Sequence, residues 1–166
     1  MRYIMLAFFP ILSIFMQSIF FNSFRLGPAI PDLMLIFIIV FALHAQAKQG
    51  AVYGLLGGLV EDLYIGSFIG VNALSKAITA YIIGSFQTRL FKENLMVGVF
   101  GIVAGTLINS FLVIGLTSIN GGAFTLEIDL AIGILCQVAY NVLLTIPIYI
   151  VYYHLLNTGF FRPLER

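Results

Sequence analysis

The stretch LMLIFIIVFAL, residues 33–43, contains eleven apolar residues in a row and directly follows Pro31 and Asp32. A strand of a membrane barrel alternates apolar and polar residues over about ten positions, and this stretch does not alternate. An α-helix satisfies its own backbone hydrogen bonds, so it can carry apolar side chains on every face inside a bilayer. The stretch therefore predicts a fully apolar helix.

The whole chain shares this apolar character. Of its 166 residues, 61% are hydrophobic and 9% are charged, and the mean hydropathy is +1.07. A soluble globular chain is typically about 45–50% apolar and about 25% charged, so a soluble fold of this length lacks the interior to bury the difference. The composition predicts an integral membrane protein in which the bilayer acts as the solvent.

The apolar segments predict an all-α membrane protein, a single domain over residues 1–166 built as a bundle of six transmembrane helices. The helices are expected at about residues 3–24, 31–47, 50–65, 71–87, 94–117 and 128–155. The first segment is too long for the apolar region of a signal peptide, so an uncleaved helix is expected. The second to fourth segments span about 24–26 Å, less than the roughly 30 Å hydrocarbon core, and we expect them inside the bundle.

Basic residues in the connections predict the orientation, because short cytoplasmic loops are enriched in Lys and Arg. With six spans, one face carries Arg2, Lys48, Arg89, Lys92, Arg162 and Arg166, and the other carries Arg25. This bias places both termini in the cytoplasm. The external face is acidic by comparison, with Glu127 and Asp129 at the start of the sixth helix.

Several function classes find no support in the sequence. The net charge is +1 without a basic cluster, so nucleic-acid binding is not expected. Cys136 is the only cysteine, and His44 and His154 lie far apart at helix ends, so we expect no metal site and no cofactor. Motifs such as H-E-x-x-H and G-x-S-x-G are missing, so the chain is not expected to be an enzyme.

Charged side chains inside membrane segments are costly and usually face protein or a water-filled cavity. Glu61, Asp62 and Lys76 lie on the two helices of one predicted hairpin, whose turn centres near residues 68–69. Glu61 and Lys76 are equally far from that centre, so Lys76 is expected to pair with Glu61 or Asp62. The pair either locks the hairpin or forms the wall of a site, and the sequence leaves both interpretations open.

Asp32 starts the second segment. A proline at the first helical position followed by an acid in the first turn is a common helix start, favoured by the helix dipole. We therefore expect Asp32 to act as a cap near the interface, wetter and less dependent on a partner than the hairpin charges. The alternative is that Asp32, Glu61, Asp62 and Lys76 together line a polar recess that opens outward.

Small and polar residues recur at a spacing of four on three segments, which predicts close helix packing. They are Gly50, Gly54 and Gly58 on the third segment, Gly101, Gly105 and Asn109 on the fifth, and Gly133, Gln137, Asn141 and Thr145 on the sixth. Amides cannot face lipid without leaving polar groups unsatisfied. The stripe on the sixth segment is therefore expected to face the core of the bundle.

Three strings carry a resemblance to a known family. Pro31-Asp32-Leu33 opens a short helix, GAVYGLLGGLVED at residues 50–62 forms a glycine-rich helix, and GSFIGVNAL at residues 66–74 forms the following turn. Their order and spacing resemble the MreD family of bacterial rod-shape-determining proteins, and the similarity extends over essentially the whole chain. The family's helix often ends in a single acid, which Asp62 matches more closely than Glu61.

The resemblance implies a membrane scaffold subunit of the cell-elongation complex in the bacterial cytoplasmic membrane, without enzymatic activity. Expected partners are MreC, the elongation glycosyltransferase and transpeptidase that build lateral peptidoglycan, the membrane lipid and, indirectly, MreB filaments. The family's fold is similar to the substrate-binding component of energy-coupling-factor transporters. A vitamin-binding transporter subunit is therefore the alternative, although bulky Phe8, Phe9 and Phe15 in the first helix do not suit docking to a coupling partner.

Overall fold

The computed structural model describes residues 11–18, 30–66, 68–86, 95–119 and 128–157. All regular structure in these ranges is helical. The helices are α1 at residues 11–18, α2 at Leu33–His44, α3 at Ala47–Ile65, α4 at Val71–Phe86, α5 at Leu95–Ile119 and α6 at Ile128–Asn157. The predicted all-α class is confirmed for this part of the chain.

The helix α2 lies at the centre of the described structure. It contacts α3, α4, α5 and α6, and every side chain from Leu33 to Leu43 is buried except the half-buried Phe37 and Phe41. A helix that is apolar on all sides needs apolar surroundings on all sides, and the neighbouring helices provide them. Its core neighbours include Ile83 of α4 and Ile102 of α5.

The boundary between α2 and α3 lies about three residues closer to the N-terminus than predicted, because α2 ends at His44 rather than at residue 47. The N–H of Ala45 bonds to the carbonyl of Phe41 and ends α2, and Ala45 itself is extended. Gln46 is also extended and precedes α3, which begins at Ala47 rather than at residue 50. The apolar pattern did not reveal this boundary because the residues on both sides of it have good helix propensity.

Two helices in the described ranges are long and apolar enough to cross a membrane. They are Met96–Ile119, with 24 residues, and Ile128–Ile148, with 21 residues. Only 28% and 17% of an 18-residue window in each helix is buried inside the protein, whereas the core helix of a soluble domain is mostly buried. Large apolar side chains such as Phe100, Phe111 and Leu143 are exposed on their outer surfaces.

Most of the residues that predicted the orientation lie outside the described ranges. These are Arg2, Arg25, Arg89, Lys92, Glu127, Arg162 and Arg166. Residues 3–10 and 19–24 of the first predicted helix also lie outside these ranges. The side chain of His154 is also outside the described part. Lys48 is described, and it is exposed near the start of α3. The orientation therefore stays a prediction.

Candidate functional site

Lys76 is completely buried and joins three helices. Its side chain extends from α4, and the Nζ atom donates a hydrogen bond to Asp32 Oδ2 at 2.8 Å. The same Nζ lies 2.7 Å from Glu61 Oε2 on α3. The two carboxylates belong to different helices, so this one ammonium ties the start of α2 and the end of α3 to α4.

Asp32 is a buried partner of this cluster, which differs from the wetter helix cap expected from the sequence. Its side chain does cap α2, because Oδ1 accepts the N–H of Leu35 at 2.8 Å. Its residue is only 8% exposed, however, and its backbone N–H donates to Asn141 Oδ1 at 2.9 Å. The expectation of a wet residue without a partner was wrong because the start of α2 packs against α6 inside the protein, which shields Asp32 from solvent.

Asp62 has no contact with Lys76 and instead caps the start of α4. Its carboxylate accepts three backbone N–H groups, from Gly70 at 2.8 Å, Asn72 at 3.1 Å and Ala73 at 3.0 Å. Successive residues of a helix point about 100° apart, so adjacent Glu61 and Asp62 face different neighbours. The structure therefore distinguishes two acids that the sequence left equivalent.

Each buried acid lies near a positive charge or a helix N-terminus, and Asp32 and Glu61 share one lysine. Asp62 lies at the N-terminus of α4, where the helix dipole favours a negative charge. Asp32 lies at the N-terminus of α2 and also contacts Lys76. Glu61 has Lys76 alone among the described cations. Buried charges usually need such pairing, so the arrangement suits a structural cluster.

A second polar network adjoins the cluster through Asn141. This fully buried amide accepts the Asp32 N–H, and its Nδ2 donates to Thr106 Oγ1 at 3.1 Å. Thr145, one turn further on, is also fully buried and donates to the Asn141 carbonyl. Gln137 is half-buried, with Nε2 3.5 Å from the carbonyl of Ile30. Asn141 thus connects α2, α5 and α6.

The glycines of α3 face α2 and α4. A Cβ atom at Gly54 would lie 2.6 Å from the carbonyl oxygen of Lys76, and one at Gly58 would collide with the Asn72 carbonyl oxygen. A Cβ atom at Gly50 would lie 2.9 Å from the Cβ atom of Ala42. Because backbones touch along this face, only a residue without a side chain fits.

The small residues of α5 face α2. A Cβ atom at Gly101 would lie 3.1 Å from Leu43, and one at Gly105 would collide with Ile39. Asn109 continues this face and is buried, but its Oδ1 has no hydrogen-bond partner among the described residues. Gly133 of α6 has open space around it, unlike the rest of its stripe.

Two buried threonines, Thr79 and Thr106, are missing from the site predicted from the sequence. Thr106 accepts the hydrogen bond from Asn141, and Thr79 is fully buried with an Oγ1 that lacks a partner in the described part of the chain. A signal for both existed, because Thr79 follows Lys76 by three residues and Thr106 precedes Asn109 by three. Residues three apart share a helix face.

The chemistry of the cluster favours fixed structure over reaction. Lys76 forms ion pairs with the carboxylates of Asp32 and Glu61. No group of His, Cys, Asp and Glu in the described ranges is arranged to bind a metal ion. His44, the described histidine, contacts the carbonyl of Val40 at the end of α2. The cluster can fix the relative positions of three helices.

Comparison with known proteins identifies one family. A family model described as rod shape-determining protein MreD matches residues 1–158. Searches of curated proteins and of solved structures found no match. The matched range contains all the described helices.

Proposed function

Because the chain belongs to the MreD family of rod shape-determining proteins, we propose that it is the membrane scaffold subunit of the bacterial cell-elongation complex and that it binds MreC. In this role it supports lateral peptidoglycan synthesis by the elongation glycosyltransferase and transpeptidase, and it communicates with MreB filaments indirectly. It lies in the cytoplasmic membrane as a bundle of six spans, with both termini in the cytoplasm.

The observation that carries the proposal is that the buried charged groups contact other groups inside the protein. Lys76 bonds to Asp32 and lies against Glu61, while Asp62 bonds to the backbone of the next helix. The outer surfaces of the described helices are mainly apolar, as at Phe100, Phe111 and Leu143. A rigid interior with apolar sides suits a protein that holds partners through its helix surfaces.

The overall shape that we propose is similar to the substrate-binding component of energy-coupling-factor transporters. A vitamin-binding transporter subunit is the alternative function for such a shape. A vitamin site needs polar side chains that are free to face a ligand, whereas the charged groups of Asp32, Glu61 and Lys76 face each other. This contact favours the scaffold over the solute binder.

The test is co-purification of MreC with the tagged chain from membranes in mild detergent. We expect MreC to co-elute at a constant ratio, because helix surfaces and external loops would provide the contact. The matched control is MreC whose single membrane helix is replaced by an unrelated apolar helix, which should co-elute less. Failure of intact MreC to co-elute at any ratio would remove the main support for the scaffold, and saturable vitamin binding would favour the alternative.

A further inference from the structure

The turn between α3 and α4 exposes large apolar side chains. Leu63, Tyr64, Ile65, Phe68 and Ile69 are each between 40% and 69% exposed. The sequence from residue 63 to residue 75 contains no charged residue. A contiguous exposed apolar patch indicates contact with something other than water.

The helices that lead to this turn are short for a membrane crossing. Lys48 is exposed near the start of α3, and from residue 48 to residue 65 the helix rises about 26 Å at 1.5 Å per residue. The hydrocarbon core is about 30 Å thick, and the usual tilt shortens the reach further. If Lys48 lies at the inner boundary, the hairpin ends below the outer boundary. By contrast α5, with 25 residues, rises about 37 Å.

Several backbone donors at the turn bond to acceptors of the protein itself. Asp62 accepts the N–H groups of Gly70, Asn72 and Ala73, and its own carbonyl accepts the N–H of Gly66 at 2.8 Å. The first N–H groups of a helix normally bond to water or to a nearby cap. In hydrocarbon such groups must find partners within the protein. Asp62 accepts two of those of α4, from Asn72 and Ala73, together with the N–H of the preceding Gly70.

We propose that the α3–α4 turn lies inside the outer leaflet, in contact with lipid acyl chains rather than with external water. The proposal rests on the multi-pass topology given under the proposed function. Three features of the turn suit that environment, and each satisfies a different requirement. They are the exposed apolar side chains, the short flanking helices and the cap formed by Asp62. Lipid at the turn also covers the outer end of the hairpin that carries Glu61 and Lys76.

The chain has no tryptophan, so one introduced tryptophan reports a single depth. We would place Ile69→Trp at the turn, Leu56→Trp in the middle of α3 and Ile119→Trp at the end of α5, all at exposed positions. Phe68→Trp provides a second probe of the turn. Each variant is reconstituted in phosphatidylcholine vesicles, and its fluorescence quenching is measured with iodide in the water and with lipids brominated along the acyl chain.

We expect Ile69→Trp and Phe68→Trp to be quenched by lipids brominated near the headgroup end of the chain, and several-fold less by iodide than Ile119→Trp. Leu56→Trp should be quenched by bromines near the bilayer centre. Iodide quenching of both turn probes that equals that of Ile119→Trp would overturn the proposal while leaving the topology intact. If Leu56→Trp escapes lipid quenching as well, the topology fails and this proposal fails with it.

Discussion

Lys76 is the residue whose environment most constrains the rest of the protein. Its ammonium is fully buried and contacts carboxylates from α2 and α3. The long aliphatic stem of a lysine can cross an apolar layer while the charged end reaches a distant partner. Removing one member of such a buried pair leaves the other charge without compensation.

Lys76→Met should therefore lower the free energy of unfolding by about 3–5 kcal/mol. The double change Lys76→Met/Glu61→Gln should recover more than Lys76→Met/Asp62→Asn, because Glu61 loses its partner and Asp62 keeps its three N–H donors. Asp32→Asn should also be less stable than the parent, since Asp32 contacts Lys76 in the interior. Membrane abundance and thermal unfolding in detergent measure these differences.

A parent-like melting temperature for Lys76→Met would show that the buried pair does not exist. Equal recovery by the two double variants would contradict the assignment of Glu61 rather than Asp62 as the partner. Lys48→Met is the matched control, because Lys48 is exposed at the start of α3 and its loss should leave stability unchanged.

Thr79 and Thr106 should respond differently to the same substitution. Thr79 Oγ1 is buried without a partner in the described part of the chain, whereas Thr106 Oγ1 accepts from Asn141. Thr79→Val should leave the free energy of unfolding unchanged or raise it by up to about 1 kcal/mol. Thr106→Val should lower it by about 1–3 kcal/mol, because Asn141 loses its acceptor. Thermal unfolding of both variants measures these changes. A destabilised Thr79→Val would indicate that the Thr79 hydroxyl has a hydrogen-bond partner.

At the scale of elements, α3 and α4 form a hairpin in which two backbones touch. Gly54 faces the backbone of Lys76, and Gly58 faces that of Asn72 and Ala73. Close approach shortens the distance that the Lys76 and Glu61 side chains must cover. The turn is compatible with this approach because Gly66 and Gly70 adopt positive φ angles of 72° and 102°, which residues with a Cβ rarely adopt.

Gly58→Ala should destabilise the protein by about 1–3 kcal/mol, because the added methyl group forces the two backbones apart. Gly115→Ala is the matched control, since a Cβ at that position of α5 would meet no atom of the described residues within 4 Å apart from the local backbone of α5 itself. It should be neutral or slightly stabilising, as alanine has the higher helix propensity. Melting temperatures of the two variants are the measurement, and equal values would show that the hairpin backbones do not touch.

At the scale of the whole molecule, the exposed surfaces of α5 and α6 and the family membership indicate a membrane protein. The predicted orientation rests on the basic residues in the loops, because such residues are usually retained on the cytoplasmic side. The side on which each terminus lies depends on the number of spans. An even number brings both termini to the same side.

Reporter fusions should therefore give a cytoplasmic signal at the C-terminus and an external signal within residues 120–124. The basic residues expected inside outnumber the single Arg25 expected outside, and this asymmetry sets the orientation. An enzyme active only outside the membrane and a fluorescent protein that matures only inside give complementary readings. External activity at the C-terminal fusion would contradict either the span count or the orientation, and an N-terminal fusion would distinguish the two.

The sequence alone determined the properties that depend on composition and local pattern. The run at residues 33–43 specified an apolar helix, and the low charge content specified lipid surroundings for much of the chain. The spacing of Glu61 and Lys76 about the turn indicated that one lysine and one acid lie at similar depth. These inferences succeed because a helix has a fixed rise per residue, so position along the chain gives position along the axis.

Only the tertiary structure decided which groups meet across the bundle. Asp32 contacts Lys76 because the start of α2 lies inside the bundle beside α4, and Asp62 turns to the backbone of α4 while its neighbour Glu61 reaches the ammonium. Thr106 and Asn141 pair because α5 and α6 are in register. Such contacts depend on how helices are rotated and placed about one another, and a sequence pattern specifies the face of each helix but not its neighbour.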